Sequence, residues 1–210
     1  HSALLEETIR DEEVWACTTC MACVEHCPVY AEPLNKIVDM RRYRLMGKGE
    51  LAPEGKSMLR SLELFGDTSG LGVAHRSDWA FNRSVPAVAR GTEVLFWVGC
   101  SGAFHPRYQD AARAMVKILE AAGVSYGILG SRELCCGDPA RRLGDENLFL
   151  QMARRNIEAM KSIGAERILA LCPHCFNVLK NEYAPLGGSF EVVHSTEFVL
   201  ELIRGERIKL

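Results

Sequence analysis

The sequence predicts an α/β fold, a mainly parallel sheet with helices on both faces, preceded by a small helical unit rich in cysteine. Three observations carry this prediction. Short apolar runs alternate with amphipathic stretches from residue 92 onward. The first of them, Val94–Val98, is continuously apolar, as in a strand buried on both faces. The first 65 residues, by contrast, carry helix signals only.

Taken in chain order, residues 3–15 mix apolar and acidic positions and suit a short helix leading into a cysteine loop. From Pro33 to Met46 the apolar residues Leu34, Ile37, Val38, Met40, Leu45 and Met46 recur at helical spacing, with Pro33 at a first-turn position and Gly47 as a stop. A second helix is expected over Pro53–Phe65. Periodicity then fails through Gly66, Asp67, Ser69, Gly70, Gly72, Asn82, Ser84 and Pro86, so 66–91 reads as a linker or strap. This divides the chain into a helical unit over 1–65, the strap, and an α/β unit over 92–210.

The α/β unit opens with the strand Val94–Val98, which ends at Gly99-Cys100. An amphipathic helix carrying Ala111, Ala114, Met115, Ile118 and Leu119 follows and stops at Gly123. A strand over Val124–Leu129 leads to Cys135-Cys136-Gly137. A helix is expected over 145–163 with Leu148, Met152, Ile157 and Met160 inward, then a strand over Ile168–Leu171 that meets Cys172. A helix through Val178-Leu179, a strand Glu191–Val193 and a helix over 196–203 complete the alternation. Met115, Met152 and Met160 are simplest as core residues.

Composition narrows the function. The 210 residues are 48% hydrophobic, enough for an ordinary core, and the net charge of −2 gives no electrostatic reason to bind nucleic acid. No apolar run approaches the roughly 20 residues of a membrane span, and no signal-peptide layout opens the sequence. Nine cysteines, an odd number clustered at metal-ligand spacings, argue against a disulfide scaffold and for a reducing cytoplasm. The location expected is therefore cytoplasmic, with docking at the inner face of a membrane left open. Because the sequence starts at His1 and ends without an obvious stop, a longer natural chain is expected.

The cysteines fall into two arrays. Cys17, Cys20, Cys23 and Cys27-Pro28 spell C-x2-C-x2-C-x3-C-P, the bacterial ferredoxin run whose thiolates hold a cubane [4Fe-4S] cluster. Cys100, Cys135, Cys136, Cys172 and Cys175 lie on three segments separated by 34 and 35 residues, each just past an expected strand. Right-handed crossovers return parallel strands in one direction, so those segments gather at the carboxyl edge of the sheet. Five crowded thiolates persist only if a metal neutralises them, and five sulfurs suit a cluster better than one four-coordinate zinc, which stays as the alternative.

The order C-x34-C-C-G-x35-C-P-x-C resembles the CCG cysteine-rich domain of heterodisulfide reductases and of the iron-sulfur subunits of glycolate and lactate oxidation systems. The resemblance covers about residues 93 to 200. It implies a non-cubane [4Fe-4S] cluster on Cys100, Cys135, Cys136, Cys172 and Cys175, with another cluster or zinc in some relatives. The family arrangement has two ferredoxin motifs and two CCG repeats, whereas one of each is visible here. Residues 17–29 look more like the second motif of the pair, so Cys27 is expected to serve a neighbouring cluster if an upstream motif exists.

The function expected from the resemblance is an electron-transfer component of an oxidoreductase, in a multi-subunit complex, between a flavoprotein and a quinone-linked, haem-linked or disulfide acceptor. Docking to a membrane subunit is compatible with it. A catalytic subunit that cleaves a disulfide at the non-cubane cluster, a hydroxyacid-oxidising enzyme with a flavin or metal site elsewhere, and a zinc-stabilised interaction module are the alternatives. No catalytic residue is assigned. His174 sits inside the metal spacing, and His194 at the end of the fourth strand is either a second-site neighbour or a surface residue. Arg41, Arg42, Arg44 and Lys48 read as a basic face, solvated or docking an acidic redox partner. Gly99-Cys100-Ser101-Gly102 lacks the spacing of a phosphate loop.

Overall fold

The computed structural model describes residue 5, residues 8–81 and residues 83–209. Four parallel strands, β1 (Val94–Trp97), β2 (Tyr126–Gly127), β3 (Arg167–Ala170) and β4 (Glu191–His194), lie in the order β2-β1-β3-β4. Leu95 pairs with Gly127 on one side and Ile168 on the other, and Ile168 pairs onward with Val192.

The period of two along each strand sorts the core into two layers. Leu95, Trp97, Ile168, Ala170 and Val192 belong to one apolar cluster, while Val94, Phe96, Val98, Leu169 and Val193 belong to the other. On the first face lie α4 (Pro53–Phe65), through Leu59 and Leu62, and α8 (Glu146–Ser162), through Leu148, Phe149, Met152, Ile157 and Met160. On the second lie α6 (Pro106–Ala121), through Ala112, Met115, Val116 and Leu119, and α10 (Ser195–Arg204), through Phe198 and Leu202. The expected sheet with helices on both faces is what the chain builds, and Met115, Met152 and Met160 are core residues.

Local signals explain the helix ends. Asp145 caps α8, its carboxylate accepting from the Leu148 N–H at 2.9 Å. Prolines 33, 53, 106, 139 and 173 stand in first turns, where a missing N–H costs nothing. The helix expected from Pro33 runs as α3 (Pro33–Arg42) and continues in a wider turn over Tyr43–Gly47. Of the helix expected over 3–15, residues 3, 4, 6 and 7 lie outside the described residues, and α1 spans Asp11–Ala16. A four-residue turn of helix, α2 (Ala22–Glu25), sits inside the first cysteine loop.

Three elements differ from expectation. The strand over 124–129 shrinks to two residues because Ile128 pairs with the strap instead: Val88 N–H donates to Ile128 O and Ile128 N–H to Pro86 O, both at 3.0 Å. The helix before Gly123 is preceded by a separate α5 (Gly99–Phe104), broken from α6 at His105-Pro106. A further helix, α7 (Asp138–Leu143), follows Gly137. The last short helix, α9 (Pro173–Asn177), begins right after Cys172.

The strap is no bare connector. Trp79 is fully buried in the second cluster, and Asp67, with no exposed surface, accepts from the N–H groups of Ser69, Gly70 and Gly72 and from the Ser69 hydroxyl at 2.5–2.8 Å.

Candidate metal centre

Carboxyl ends of β1 and β3 and the loop after β2 deliver the second array to one place. Cys100, Cys135, Cys136, Cys172 and Cys175 all line a cavity of about 550 Å3. Their thiols are neighbours in series, Cys100 to Cys135 to Cys136 to Cys175 to Cys172. Among the described residues no three or more His, Cys, Asp or Glu side chains gather as a single metal ion would require.

Cys100 is pushed well above the ordinary thiol value by the adjacent Cys135 thiol and by burial, against the pull of Arg76 and of the Thr68 N–H. Cys136 is raised too: its contact with Cys135 lowers it, but contact with Cys175 and burial outweigh that. Cys172 goes the other way, to about 5, because its sulfur accepts from the Cys175 thiol and from the N–H groups of His174 and Cys175 at the start of α9. A row of buried thiols that resist ionisation beside one that ionises readily is a donor set whose charge a metal cluster would settle.

Buried side chains fix the doubled cysteine. Asn156 on α8 accepts from the Leu134 N–H at 3.0 Å and donates to Cys135 O and to the Tyr183 hydroxyl, each at 3.0 Å. Tyr183 in turn donates to Cys136 O at 2.9 Å. Gly137 then turns the chain at φ +90 into α7. Glu133 accepts from the N–H groups of Gly99 at 2.8 Å and Val98 at 3.2 Å, holding the backbone just before Cys100. Spacing rules carry no signal for Asn156, Tyr183 or Glu133, because their partners lie 21 to 47 residues away.

The first array sits on the loop that follows α1. Thr19, Met21 and Tyr30 adopt left-handed backbone at φ 57, 62 and 56, bending the chain around the sulfurs. Cys17 accepts from the Thr19 N–H at 3.4 Å and Cys27 from the Ala31 N–H at 3.2 Å. Cys20 is lowered chiefly by the Ala22 N–H, with the Thr18 side chain adding to it. Backbone N–H groups aimed at sulfur suit thiolate ligands, since such hydrogen bonds favour the anionic form. Cys17 and Cys27 are half-buried, and Cys20 and Cys23 are exposed.

Cys17 also lines the cavity of the second array, together with Thr18, Thr19 and Arg41. Cys20, Cys23 and Cys27 do not. Arg41 holds the junction: its guanidinium donates to Val14 O at 2.8 Å, Cys17 O at 2.6 Å and Arg142 O at 3.0 Å, and lies 4.9 Å from the Trp15 ring centre. The basic face expected at Arg41, Arg42, Arg44 and Lys48 is thereby corrected at its three arginines, while Lys48 is exposed. Arg41 and Arg44 are only 4% and 5% exposed, Arg42 pairs with Asp39 and Glu146, and Arg44 pairs with Asp11 and Glu50. Arg41 satisfies buried backbone carbonyls, and Arg42 and Arg44 are tied to carboxylates of their own unit and of α8.

His174 lies on the cavity wall, its Nδ1 3.7 Å from the Cys172 sulfur. His194 is absent from that wall; it caps α10 with Nδ1 and packs edge-on against Phe176.

Comparisons with known proteins agree with this arrangement. Residues 94–180 match the CCG family, described as a cysteine-rich domain. Over 99% of its length the chain is 38% identical to an EtfAB:quinone oxidoreductase of Syntrophomonas wolfei and 37% identical to the probable iron-sulfur-binding oxidoreductase FadF of Bacillus subtilis, covering 30% and 31% of those proteins. It is 30% identical over 94% of its length to one of the subunits of the dihydromethanophenazine:CoB--CoM heterodisulfide reductase of Methanosarcina mazei, covering 49% of that protein. The chain thus spans less than half the length of these relatives. No solved structure matches. The five cysteines at the sheet edge and the relatives that share almost the whole chain lead to one assignment: the protein carries a CCG cysteine-rich domain and is related to iron-sulfur oxidoreductases.

Proposed function

We propose that the chain is the iron-sulfur electron-transfer part of a larger oxidoreductase, passing electrons between a flavoprotein and a quinone, haem or disulfide acceptor. One observation carries the reading: Cys17 of the first array and all five cysteines of the second line the same cavity. Two redox centres that share a wall can exchange electrons without a diffusing carrier.

In this reading Cys17, Cys20 and Cys23 hold a cubane [4Fe-4S] cluster, with Cys27 completing it or serving a neighbour. Cys100, Cys135, Cys136, Cys172 and Cys175 hold a non-cubane [4Fe-4S] cluster, with zinc as the rival occupant. Such clusters supply one-electron redox chemistry. The chain's own residues do the rest. The N–H groups of Thr19, Ala22 and Ala31 stabilise the first set of thiolates. Asn156, Tyr183 and Glu133 fix the second set. Arg41 holds the two together. The division at 1–65, 66–91 and 92–210 then separates a first-centre unit, a strap and a second-centre unit. Work at a cytoplasmic, membrane-facing complex fits this role, and no helix among the described residues is long and apolar enough to cross a membrane.

A second reading, cleavage of a disulfide at the second centre, draws support from the size of the cavity, which lies within the range of roughly 300–1,000 Å3 usual for small-molecule sites. Mixing the anaerobic full-length protein with a reduced flavoprotein separates the two. Bleaching of both centres without any added disulfide supports the relay; bleaching that requires a disulfide supports the catalytic reading.

A further inference from the structure

The strap outside the matched domain reaches the second centre at Cys100. Gly66 O accepts from the Cys135 N–H at 2.7 Å, and Thr68 lines the same cavity as Cys100. Arg76 is 2% exposed; its Nη2 donates to the Cys100 sulfur at 3.1 Å and its Nη1 to Glu133 Oε1 at 2.7 Å. The ring of Phe104 lies 5.7 Å from the guanidinium and closes that side.

A buried ion pair is a poor device for stability, because desolvating both charges cancels most of their attraction. An Arg serving only Glu133 could also turn its second nitrogen elsewhere. Here that nitrogen is aimed at a sulfur of the candidate centre, while Glu133 grips the Val98-Gly99 backbone that presents the same cysteine.

We propose that segment 66–76 sets the reduction potential of the second centre, with the Arg76 guanidinium acting on Cys100. The inference rests on the reading that the five thiols hold an iron-sulfur centre. Positive charge and N–H donors at a cluster sulfur stabilise the more negative, reduced state and raise the potential. Arg76 is then a tuning residue, supplied from outside the domain that carries the five cysteines.

The test is an anaerobic redox titration, followed by absorbance and paramagnetic resonance, of the full-length protein and of Arg76→Lys, Arg76→Gln and the double variant Arg76→Gln with Glu133→Gln. The double variant keeps a neutral hydrogen-bonded pair and leaves no buried carboxylate alone. At a fixed solution potential the reduced-to-oxidised ratio of the second centre falls at least about tenfold in both variants lacking the charge, equivalent to about 59 mV for a one-electron couple. Arg76→Lys stays nearer the parent, and the first centre changes less than twofold in every variant. A double variant that loads iron normally with an unmoved second potential overturns the proposal. So does one that keeps its fold but no longer takes up iron, which would make the pair an assembly element. Zinc in place of iron at the five thiols of the unaltered protein would instead defeat the functional reading itself.

Discussion

Replacing Gly137 by alanine tests how tightly the doubled cysteine is built into its turn. Gly137 stands at φ +90, a conformation that costs an L-residue about 1–2 kcal/mol. A Cβ there would meet Phe149 Cδ2 at 2.8 Å, and Phe149 is 1% exposed, wedged among core residues of α8 and the sheet. Overfilling such a site costs about a further 1–3 kcal/mol, so Gly137→Ala should lose about 2–5 kcal/mol. At 2–4 °C per kcal/mol for a chain of this size, the melting temperature should drop by about 4–20 °C. Gly123→Ala is the control: it shares the left-handed backbone at φ +62 but has nothing within 4 Å of its Cβ, so only the strain of about 1–2 kcal/mol applies. The measurement is urea unfolding of both variants in the same metal-loading state, with iron content alongside. If Gly137→Ala costs no more than Gly123→Ala, the contact with Phe149 does not constrain the cysteine turn and the reasoning fails.

Three other perturbations probe the supports of the two centres. Asn156→Leu strands the Leu134 N–H and the Cys135 carbonyl in the core, at about 1–3 kcal/mol each, so stability falls and second-centre iron is lost while the first-centre signal survives; equal loss of both would count against a local role. Arg41→Met removes charged hydrogen bonds to Val14, Cys17 and Arg142, each worth about 1.5–3 kcal/mol, so proteolysis within 17–31 and chelator removal of first-centre iron should both quicken. Unchanged rates would contradict the bridging role. Burial alone would push Asp67 up, but the Ser69 hydroxyl and the N–H groups of Gly72, Ser69 and Gly70 outweigh it and hold the carboxyl below its usual value. Its stabilisation is therefore complete above the unfolded value of about 3.9 and is lost as pH falls through the lower folded value. The stability gap between the parent and Asp67→Asn, measured by urea unfolding, should accordingly be constant from neutral pH to about 5 and narrow below about 4; a gap that widens on acidification would refute this.

The legible parts of the molecule were those written in local pattern. Apolar runs marked β1 and β3, the Val192-Val193 pair marked β4, and cysteines placed just past strands had to meet at one edge because parallel crossovers return every strand in the same direction. The illegible parts depend on contacts between distant segments. Arg76 sits in a stretch without periodicity, 24 residues from the sulfur it touches, and nothing in its neighbours distinguishes it from a solvated arginine. The triplet at Arg41, Arg42 and Arg44 misled for the same reason, since charge in a sequence does not reveal whether a guanidinium faces water or backbone carbonyls. β2 was overestimated because its apolar residues after Gly127 are buried by pairing with the strap rather than with β1. His194 fell to a local use, the cap of its own helix.

In the proposed function two separable iron-sulfur centres sit against a common wall. Metal and sulfide analysis with paramagnetic resonance, on anaerobically prepared full-length protein and its Cys135→Ser variant, tests it most directly. The expected result is a brown parent protein with iron, sulfide and two reducible signals, and a variant that keeps the first signal and loses the second. A colourless parent with stoichiometric zinc, or a variant that loses both signals together, would contradict it.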